Sequence, residues 1–284
     1  MLRNLITDAV VLFVSPSGEN NRSVCVFSRE LGIVYAILYG GPKSKLRGLV
    51  SPFNRGKMYL YRDTVKNSVK ITDFDVTNFH QTFRESLFKS WAASLASEIV
   101  IKTKCGGSAG ECWKIFNGFL DGIELSDEDS GRLGLVRFLW RYLELLGIRP
   151  DTSFCASCGK AFFSHTADSG SEHGKSNPAE HGSSGRTEYS RMEIAELTQT
   201  AAIYMPSENG FLCVSCSAPD KRGFRLCKQA LHYLTAVSEL EPKEVRSLQC
   251  TAKAANEMRD LTFYMIEAAA GQRLKSIESG LGIL

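Results

Sequence analysis

Four of the nine cysteines form two Cys-x-x-Cys pairs, which is a spacing typical of metal ligands. Each pair lets two thiolates reach one ion from a tight turn, and two pairs complete the tetrahedral four-sulfur shell of a structural zinc site. Such a closed shell leaves no open position for a catalytic water molecule. The sequence therefore predicts one structural Zn²⁺ ion, held by Cys155, Cys158, Cys213 and Cys216.

Motifs for catalytic zinc are missing from the sequence. A nucleobase deaminase places His-x-Glu ahead of Pro-Cys-x-x-Cys, but the chain has no His-x-Glu, and Phe154 precedes the first cysteine pair. The His-Glu-x-x-His helix of a metalloprotease is also absent. We therefore predict a binding protein and not an enzyme.

A second candidate site is the basic segment 40–48, which holds three cations within five residues. Its glycines let backbone N–H groups approach phosphates, while its cations attract them. The segment lacks the Gly-Lys-Ser/Thr of a phosphate-binding loop, and no helix is expected to begin there. The first 75 residues carry a local net charge of +5, against +3 for the whole chain. We predict that DNA phosphates contact six cations of this region: Lys43, Lys45, Arg47, Arg55, Lys57 and Arg62.

Aromatic residues near these cations are candidates for stacking on bases. Single-strand binding by small barrels combines cations for phosphates with aromatic faces for bases. Phe53, Tyr59 and Tyr61 fit this role by position, although Phe53 equally fits a core position.

The elements that position the basic segment are five short strands in residues 1–77. Apolar and β-branched runs recur about every 10–15 residues with Gly, Pro and Asn between them, which predicts a small barrel or sandwich. From about residue 80 the apolar spacing becomes helical, and Ser126 is the expected N-cap of one helix. We predict a helical domain over 78–150 and 220–284, with its last helices at about 224–240 and 242–277.

The cysteine pairs belong to a predicted zinc ribbon over 151–219. A β-hairpin around 206–210 leads into the second pair, but 54 residues separate Cys158 from Cys213. Much of that separation is the segment at about 164–191, which has almost no apolar side chain and is expected to be disordered. Deleting 166–188 is therefore expected to leave the fold intact.

Composition indicates a protein of the cytoplasm with no membrane association. Hydrophobic residues make up 43% and charged residues 23%, as in ordinary globular proteins. No apolar run approaches the roughly 20 residues that span a bilayer. Nine cysteines in a reducing compartment favour metal ligation over disulfides.

The order of motifs along the chain resembles the RecO family. At the N-terminal end the similar features are Thr7-Asp8-Ala9-Val10-Val11, the Gly-Gly-Pro-Lys-Ser-Lys loop and Val50-Ser51-Pro52-Phe53. Further along they are the junction Gly147-Ile148-Arg149-Pro150 before Cys155-x-x-Cys158-Gly159, then Gly210-Phe211-Leu212-Cys213 and Arg273-Leu274-Lys275-Ser276.

This resemblance implies an α+β protein in which an OB-fold barrel precedes a helical domain with an inserted zinc ribbon. It also implies a recombination mediator of the RecF pathway that binds single- and double-stranded DNA and anneals complementary strands. Its implied partners are RecR and single-strand-binding protein, with RecA loaded onto gaps indirectly, in the cytoplasm at the nucleoid.

Two other function classes fit parts of the sequence. One is an accessory OB and zinc-ribbon region of a nucleic-acid enzyme, which a nucleotidyl-transfer assay would detect. The other is a zinc-ribbon scaffold that binds only protein, which a gel shift with single-stranded DNA would separate from a DNA-binding protein.

Overall fold

The computed structural model describes residues 3–41, 43–163, 195–217 and 222–280. Contacts divide the chain into one unit of residues 1–149 with 259–284 and another of residues 150–258. This division places residues 220–258 with the ribbon cysteines, whereas the sequence grouped 220–284 with 78–150. The segment at about 164–191, predicted to be a disordered loop, lies outside the described residues.

A closed barrel of five strands begins the first unit. The strands are β1 (Asn4–Ser17), β2 (Asn21–Ser28), β3 (Gly32–Leu38), β4 (Arg55–Asp63) and β5 (Ser68–Asn78). They close in the order β1-β2-β3-β5-β4, and every pair is antiparallel except β3 with β5. The predicted α+β class with an N-terminal OB-like barrel is confirmed.

Alternation of side chains fills the barrel interior. Val11, Val26, Leu38, Leu60 and Phe74 belong to one buried cluster, with one or more residues from each strand. Because successive residues of a strand point to opposite faces, their neighbours lie on the outer surface of the barrel. A bulge between Val11 and Phe13 lets the long first strand bend around the core.

The first unit also contains helices, of which α1 and α3 pack directly on strands of the barrel. They are α1 (Lys45–Leu49), α2 (Leu87–Lys102), α3 (Ala109–Leu125), α4 (Glu128–Leu145) and α8 (Lys275–Ser279). The outward ring of Phe27 packs edge-on against Trp113 and Phe116 of α3, with ring centroids 5.4 and 5.7 Å away. This contact leaves the outer face of β4 and β5 exposed at Lys57, Thr72 and Asp73.

The N-cap of α4 differs from the predicted one. Asp127 caps the helix, because its carboxylate accepts a hydrogen bond from the Ser130 N–H at 2.7 Å. The Ser126 hydroxyl instead donates to the Gly122 carbonyl at 2.7 Å and closes the end of α3. Ser126 as the N-cap was therefore wrong by one residue.

The second unit is built on a three-stranded sheet of order β7-β6-β8. Its strands are β6 (Thr200–Met205), β7 (Gly210–Cys213) and β8 (Phe224–Cys227), and its helices α5 (Lys228–Glu239) and α6 (Pro242–Arg246) follow. The next helix, α7 (Ala252–Ala270), crosses the boundary between the units.

Two helix predictions for the C-terminal part need correction. Residues 224–227 are a strand, because they pair with β6 in the ribbon sheet. The helix expected over 242–277 is three helices, and the second of them ends at Ala270, directly before Gly271, which has a φ of 65°.

Within the described ranges, no helix is both long enough and apolar enough to cross a membrane.

Candidate nucleic-acid interface and metal centre

The structure brings the four predicted metal ligands together in the second unit. Cys155 and Cys158 lie in a turn closed by hydrogen bonding of the Gly159 N–H to the Cys155 carbonyl. Cys213 is the last residue of β7. Cys216 follows in a turn, and the Cys216 N–H donates to the Cys213 carbonyl. Two knuckles, one before the ribbon sheet and one at its edge, therefore face each other as the hairpin prediction required.

The spacing of the sulfur atoms fits a tetrahedral ion. All four Sγ atoms lie within 4.8 Å of one another, and the Sγ atoms of Cys158 and Cys213 are 3.9 Å apart. A tetrahedron with Zn–S bonds of about 2.3 Å has S···S edges of about 3.8 Å. The four sulfur atoms are therefore close enough together to hold one metal ion.

Electrostatics of the cluster also favour a cation. Burial raises the pKa of the Cys155 thiol, but backbone N–H groups outweigh this effect and lower its pKa to about 6. One of them is the N–H of Cys213, at 3.3 Å from Sγ. Hydrogen bonds with the Cys213 and Cys158 thiols raise the pKa of Cys216 to about 12. Four thiolates this close need a positive ion between them to ionise together.

A small apolar core supports the two knuckles. Met205 and Leu212 are buried with Cys155, and Phe162 packs against them. Gly210 is required at this point, because a Cβ atom there would lie 2.8 Å from the Cβ of Ala156. The first knuckle is thereby held against the second strand of the hairpin.

A second group of possible metal ligands lies between the barrel and α3. The side-chain amide of Asn78 occupies the space between its members. The group comprises His80, Asp121 and Glu124. The Asn78 Nδ2 lies 3.2 Å from His80 Nε2 and 3.4 Å from one carboxylate oxygen of each acid. Because Asn78 Oδ1 accepts from the His80 N–H at 3.0 Å, the amide is fixed with its NH₂ group between the three side chains. This NH₂ group takes the place of an ion.

Arg55 belongs to the same polar cluster. Its guanidinium donates to both carboxylate oxygens of Asp121 at 3.0 Å and to Asn117 Oδ1 at 3.0 Å. Burial raises the pKa of the Asp121 carboxyl, but hydrogen bonds from His80 and Arg55 outweigh it and hold that pKa below its ordinary value. Among the six predicted DNA ligands, Arg55 is the one whose charge is neutralised by an ion pair to α3.

The basic segment forms a short helix that the sequence did not predict. Lys43 and Lys45 are exposed, and α1 begins at Lys45. The Arg47 guanidinium donates to the Gly40 carbonyl at 3.5 Å, and Arg22 donates to the Arg47 carbonyl at 3.5 Å. The three cations therefore stay at one end of the barrel, where the chain leaves β3.

Lys57 and Tyr59 lie in an acidic half of the outer face of β4. Lys57 is in register with Asp8 on β1 and with Asp75 on β5. The Tyr59 hydroxyl donates to Asp75 at 3.0 Å, which raises the pKa of Tyr59. Phe53, the other aromatic candidate, is buried against Phe83, as the core alternative required.

Tyr61 lies in a different half of that face, with two residues that sequence reasoning missed. The Lys70 Nζ lies 5.4 Å from the centre of the Tyr39 ring and 5.8 Å from that of Tyr61. Lys70 pairs with Tyr61 across β4 and β5 and with Ile37 across β3 and β5. The alternation of inward and outward residues along β5 indicates that Lys70 faces outward. It does not indicate which residues of other strands lie beside Lys70.

Family comparisons match almost the whole chain. The model described as Recombination protein O N terminal matches residues 1–79. The one described as Recombination protein O C terminal matches residues 84–192 and 193–278. The chain belongs to the RecO family. The resemblance inferred from motif order is thereby confirmed.

Relatives named DNA repair protein RecO are similar to this RecO family chain over different spans. The protein of Pelotomaculum thermopropionicum is 30% identical over 168 residues, which cover 55% of this chain and 62% of the relative. That of Heliobacterium modesticaldum is 29% identical over 164 residues, which cover 57% of this chain and 58% of the relative. That of Oceanobacillus iheyensis is 17% identical over 271 residues, which cover 95% of this chain and 90% of the relative. The alignments with the first two relatives thus span less than two thirds of their length.

The RecO family matches follow the structural elements. The N-terminal match ends one residue after β5, so it contains the complete barrel. All four cysteines of the metal cluster fall within the C-terminal match.

Proposed function

We propose that this chain is a DNA-binding recombination mediator in the repair of single-strand gaps and breaks. The observation that carries the proposal is the match of both RecO family models, with a closed barrel where the N-terminal model matches. In this role the protein binds single- and double-stranded DNA and anneals complementary strands. With RecR it helps load RecA onto DNA coated by single-strand-binding protein, in the RecF pathway.

The cations that follow β3, together with Arg62 of β4, are the proposed phosphate ligands. Lys43 and Lys45 are exposed, while Arg47 and Arg62 are half-buried. Each phosphate contact releases condensed counterions, so binding weakens as the salt concentration rises. We assign Arg55 to the ion pair with Asp121, and Lys57 stands between two carboxylate positions, so both contribute less.

The metal of the cysteine cluster is proposed to be a structural Zn²⁺ ion. An all-cysteine shell with tetrahedral spacing is typical of structural zinc sites. The ion would fix the ribbon hairpin and supply local folding energy. Its role is confined to structure, because four thiolates leave no position for substrate or water.

The proposed activity needs no covalent step by the protein. Annealing requires a surface that holds two strands through their backbones and leaves the base edges free to pair. Loading of RecA requires partner surfaces in addition. We therefore propose a binding function rather than an enzymatic one, exerted in the cytoplasm at the nucleoid.

Strand annealing tests the proposed function. Complementary labelled oligonucleotides, with and without single-strand-binding protein, should anneal faster in the presence of the parent protein. The triple variant Lys43→Ala, Lys45→Ala, Arg47→Ala should lose most of this acceleration. Its affinity for single-stranded DNA should also depend less on salt, by about 0.7 logarithmic units for each phosphate that is no longer neutralised.

A charge-matched control separates these cations from net charge. The variant Lys243→Ala, Arg246→Ala, Lys253→Ala removes three exposed cations of the second unit and should anneal like the parent. Equal rates for the parent and the basic-segment variant would remove that segment from the site. Absence of annealing and DNA binding by the parent would refute the proposed function.

A further inference from the structure

The outer face of β4 and β5, with the residue that follows β3, carries an aromatic strip with a cation at its centre. We define the strip as Tyr39, Lys70 and Tyr61. Tyr39 is 49% exposed, while Lys70 and Tyr61 are half-buried. Inward neighbours of each, namely Leu38, Ile71 and Leu60, belong to the barrel core. Lys70 and Tyr61 are therefore held on strands, and Tyr39 directly follows the last residue of β3.

The charge of Lys70 is held between two rings and has no ion pair within the described residues. Its Nζ lies within 6 Å of the centres of both rings, which is the range of a cation–π contact. Asp63 is the acid that interacts with Lys70, and that carboxylate already accepts from the N–H groups of Val65 and Lys66 at 3.1 and 3.0 Å. The Lys70 cation therefore remains available to an anionic ligand.

Further cations continue from the strip toward the basic segment. Gly40 follows Tyr39, and its carbonyl accepts from the Arg47 guanidinium at 3.5 Å. Arg22, the cross-strand partner of the inward Leu38, supports this end of the barrel from the inner side of the sheet, where it donates to the Arg47 carbonyl at 3.5 Å. A path from Tyr61 through Lys70 and Tyr39 thus reaches Gly40 and the Arg47 guanidinium.

The other half of the same strands is unsuited to a polyanion. Two residues before Tyr61, the Tyr59 hydroxyl is bonded to Asp75, and Asp73 is its cross-strand partner. Lys57 is in register with Asp8 and Asp75. A phosphate chain that continued down β4 would meet these three carboxylates, so the acidic half sets one limit of the binding surface.

We propose that the strip Tyr39–Lys70–Tyr61 is a stacking site for the bases of single-stranded DNA, with Lys70 and Arg47 contacting the adjacent phosphates. This proposal rests on the proposed function and deepens it by naming the form of DNA. Exposed rings can stack only on bases that are not already stacked in a duplex. Lys70 between the rings places a positive charge where the backbone between two stacked bases passes.

The consequence is a selective effect on single strands. Removing a stacked ring should weaken binding to single-stranded oligothymidine by about tenfold, within the range for base–aromatic stacking. Binding to duplex DNA should change much less, because it depends on phosphate contacts. Lys70→Ala should weaken binding to both forms and lower the salt dependence by about 0.7 logarithmic units on single strands.

Tyr61→Leu and Tyr59→Leu form a matched pair for the test. Both residues face outward from β4, two positions apart, but only Tyr61 belongs to the strip. The full chain and each variant are titrated into labelled oligothymidine and followed by fluorescence anisotropy. Tyr39→Leu and Tyr61→Leu should lose affinity, whereas Tyr59→Leu and Tyr61→Phe should bind like the parent.

An abasic oligonucleotide of the same length separates stacking from a disturbed fold. It keeps the phosphates and lacks the bases, so Tyr61→Leu and the parent should bind it equally, while Lys70→Ala should still bind it more weakly. If Tyr61→Leu and Tyr59→Leu bind oligothymidine alike, or if Tyr61→Leu loses as much affinity for the abasic strand, the stacking site is refuted while the proposed function stands. If the parent binds no single-stranded DNA, both proposals fail.

Discussion

At the scale of single residues, the four cysteines depend on one another more than on the surrounding protein. Backbone N–H groups of both knuckles lower the pKa of Cys155, and the neighbouring thiols raise that of Cys216. The thiolate of Cys155 is thus favoured even without a metal ion, whereas ionisation of all four thiols requires a metal ion. The cluster therefore has the properties of a site whose affinity for metal depends on pH.

The zinc proposal gives a stoichiometry that can be measured. The parent should contain about one zinc ion per chain, and Cys213→Ser with Cys216→Ser should contain almost none. Zinc should leave the parent as the pH falls, because protons compete with the metal for the thiolates. Elemental analysis after dialysis at several pH values measures both effects.

Cys250→Ser is the matched control for that experiment. This half-buried cysteine belongs to the same unit but lies outside the cluster, so its replacement should leave the zinc content unchanged. Stoichiometric zinc retained by the double cysteine variant would refute the assigned ligands.

At the scale of elements, the crossing of β4 and β5 depends on a glycine. A Cβ atom at Gly56 would lie 2.0 Å from the Asp75 carbonyl oxygen and 2.8 Å from the Val76 Cα. The neighbouring register shift between Arg55 and Gly56 brings the two backbones together at this point. The same crossing leads to Asn78 and His80, so it also positions the polar cluster against α3.

Gly56→Ala should destabilise the first unit by about 3 kcal/mol, the upper end for overpacking, because rigid backbone atoms must move. Gly118→Ala offers a control of the same chemical change. Gly118 is exposed in α3 with no atom near its added Cβ, so alanine should stabilise the protein by about 0.5–1 kcal/mol. Denaturant unfolding of both variants measures the two effects, and equal changes would contradict the role of Gly56.

At the scale of the first unit, a segment from the far end of the sequence packs on α2. The Trp91 Nε1–H donates to the Ser276 carbonyl at 2.6 Å. The Glu98 carboxylate accepts from the N–H groups of Lys275 and Ser276 at 3.1 and 2.8 Å, and Leu274 is fully buried. Glu98 therefore caps a helix that lies 177 residues later in the chain.

Removal of residues 274–284 should expose Trp91, which is 6% exposed in the parent. We expect a red shift of tryptophan fluorescence and a decrease of about 2–5 kcal/mol in stability, as for removal of a buried leucine side chain. The same truncation in a Trp91→Phe background should lower stability without the red shift. An unchanged emission spectrum and melting temperature in the truncated protein would show that the segment does not hold α2.

The sequence by itself determined the features that depend on short spacing. The cysteine pairs, the alternating strands of the barrel and the hairpin before Cys213 each follow from residues within about ten positions, and family membership followed from their order. The local sequence did not determine the strand at 224–227, because this segment is a strand only through its hydrogen bonding to the edge of β6. Nor did it decide whether Asp127 or its neighbour would cap α4, since both residue types are good caps.

Only the tertiary structure decided which charges are free and which rings are exposed. Arg55 and Lys57 look equivalent to Lys43 in the sequence, but strand register and packing on α3 place carboxylates beside them. Tyr39 and Lys70 are 31 positions apart and meet because β3 and β5 pair in parallel when the barrel closes. Register and closure are properties of the whole sheet, so the composition of a segment cannot reveal which of its cations and aromatic rings form a surface together.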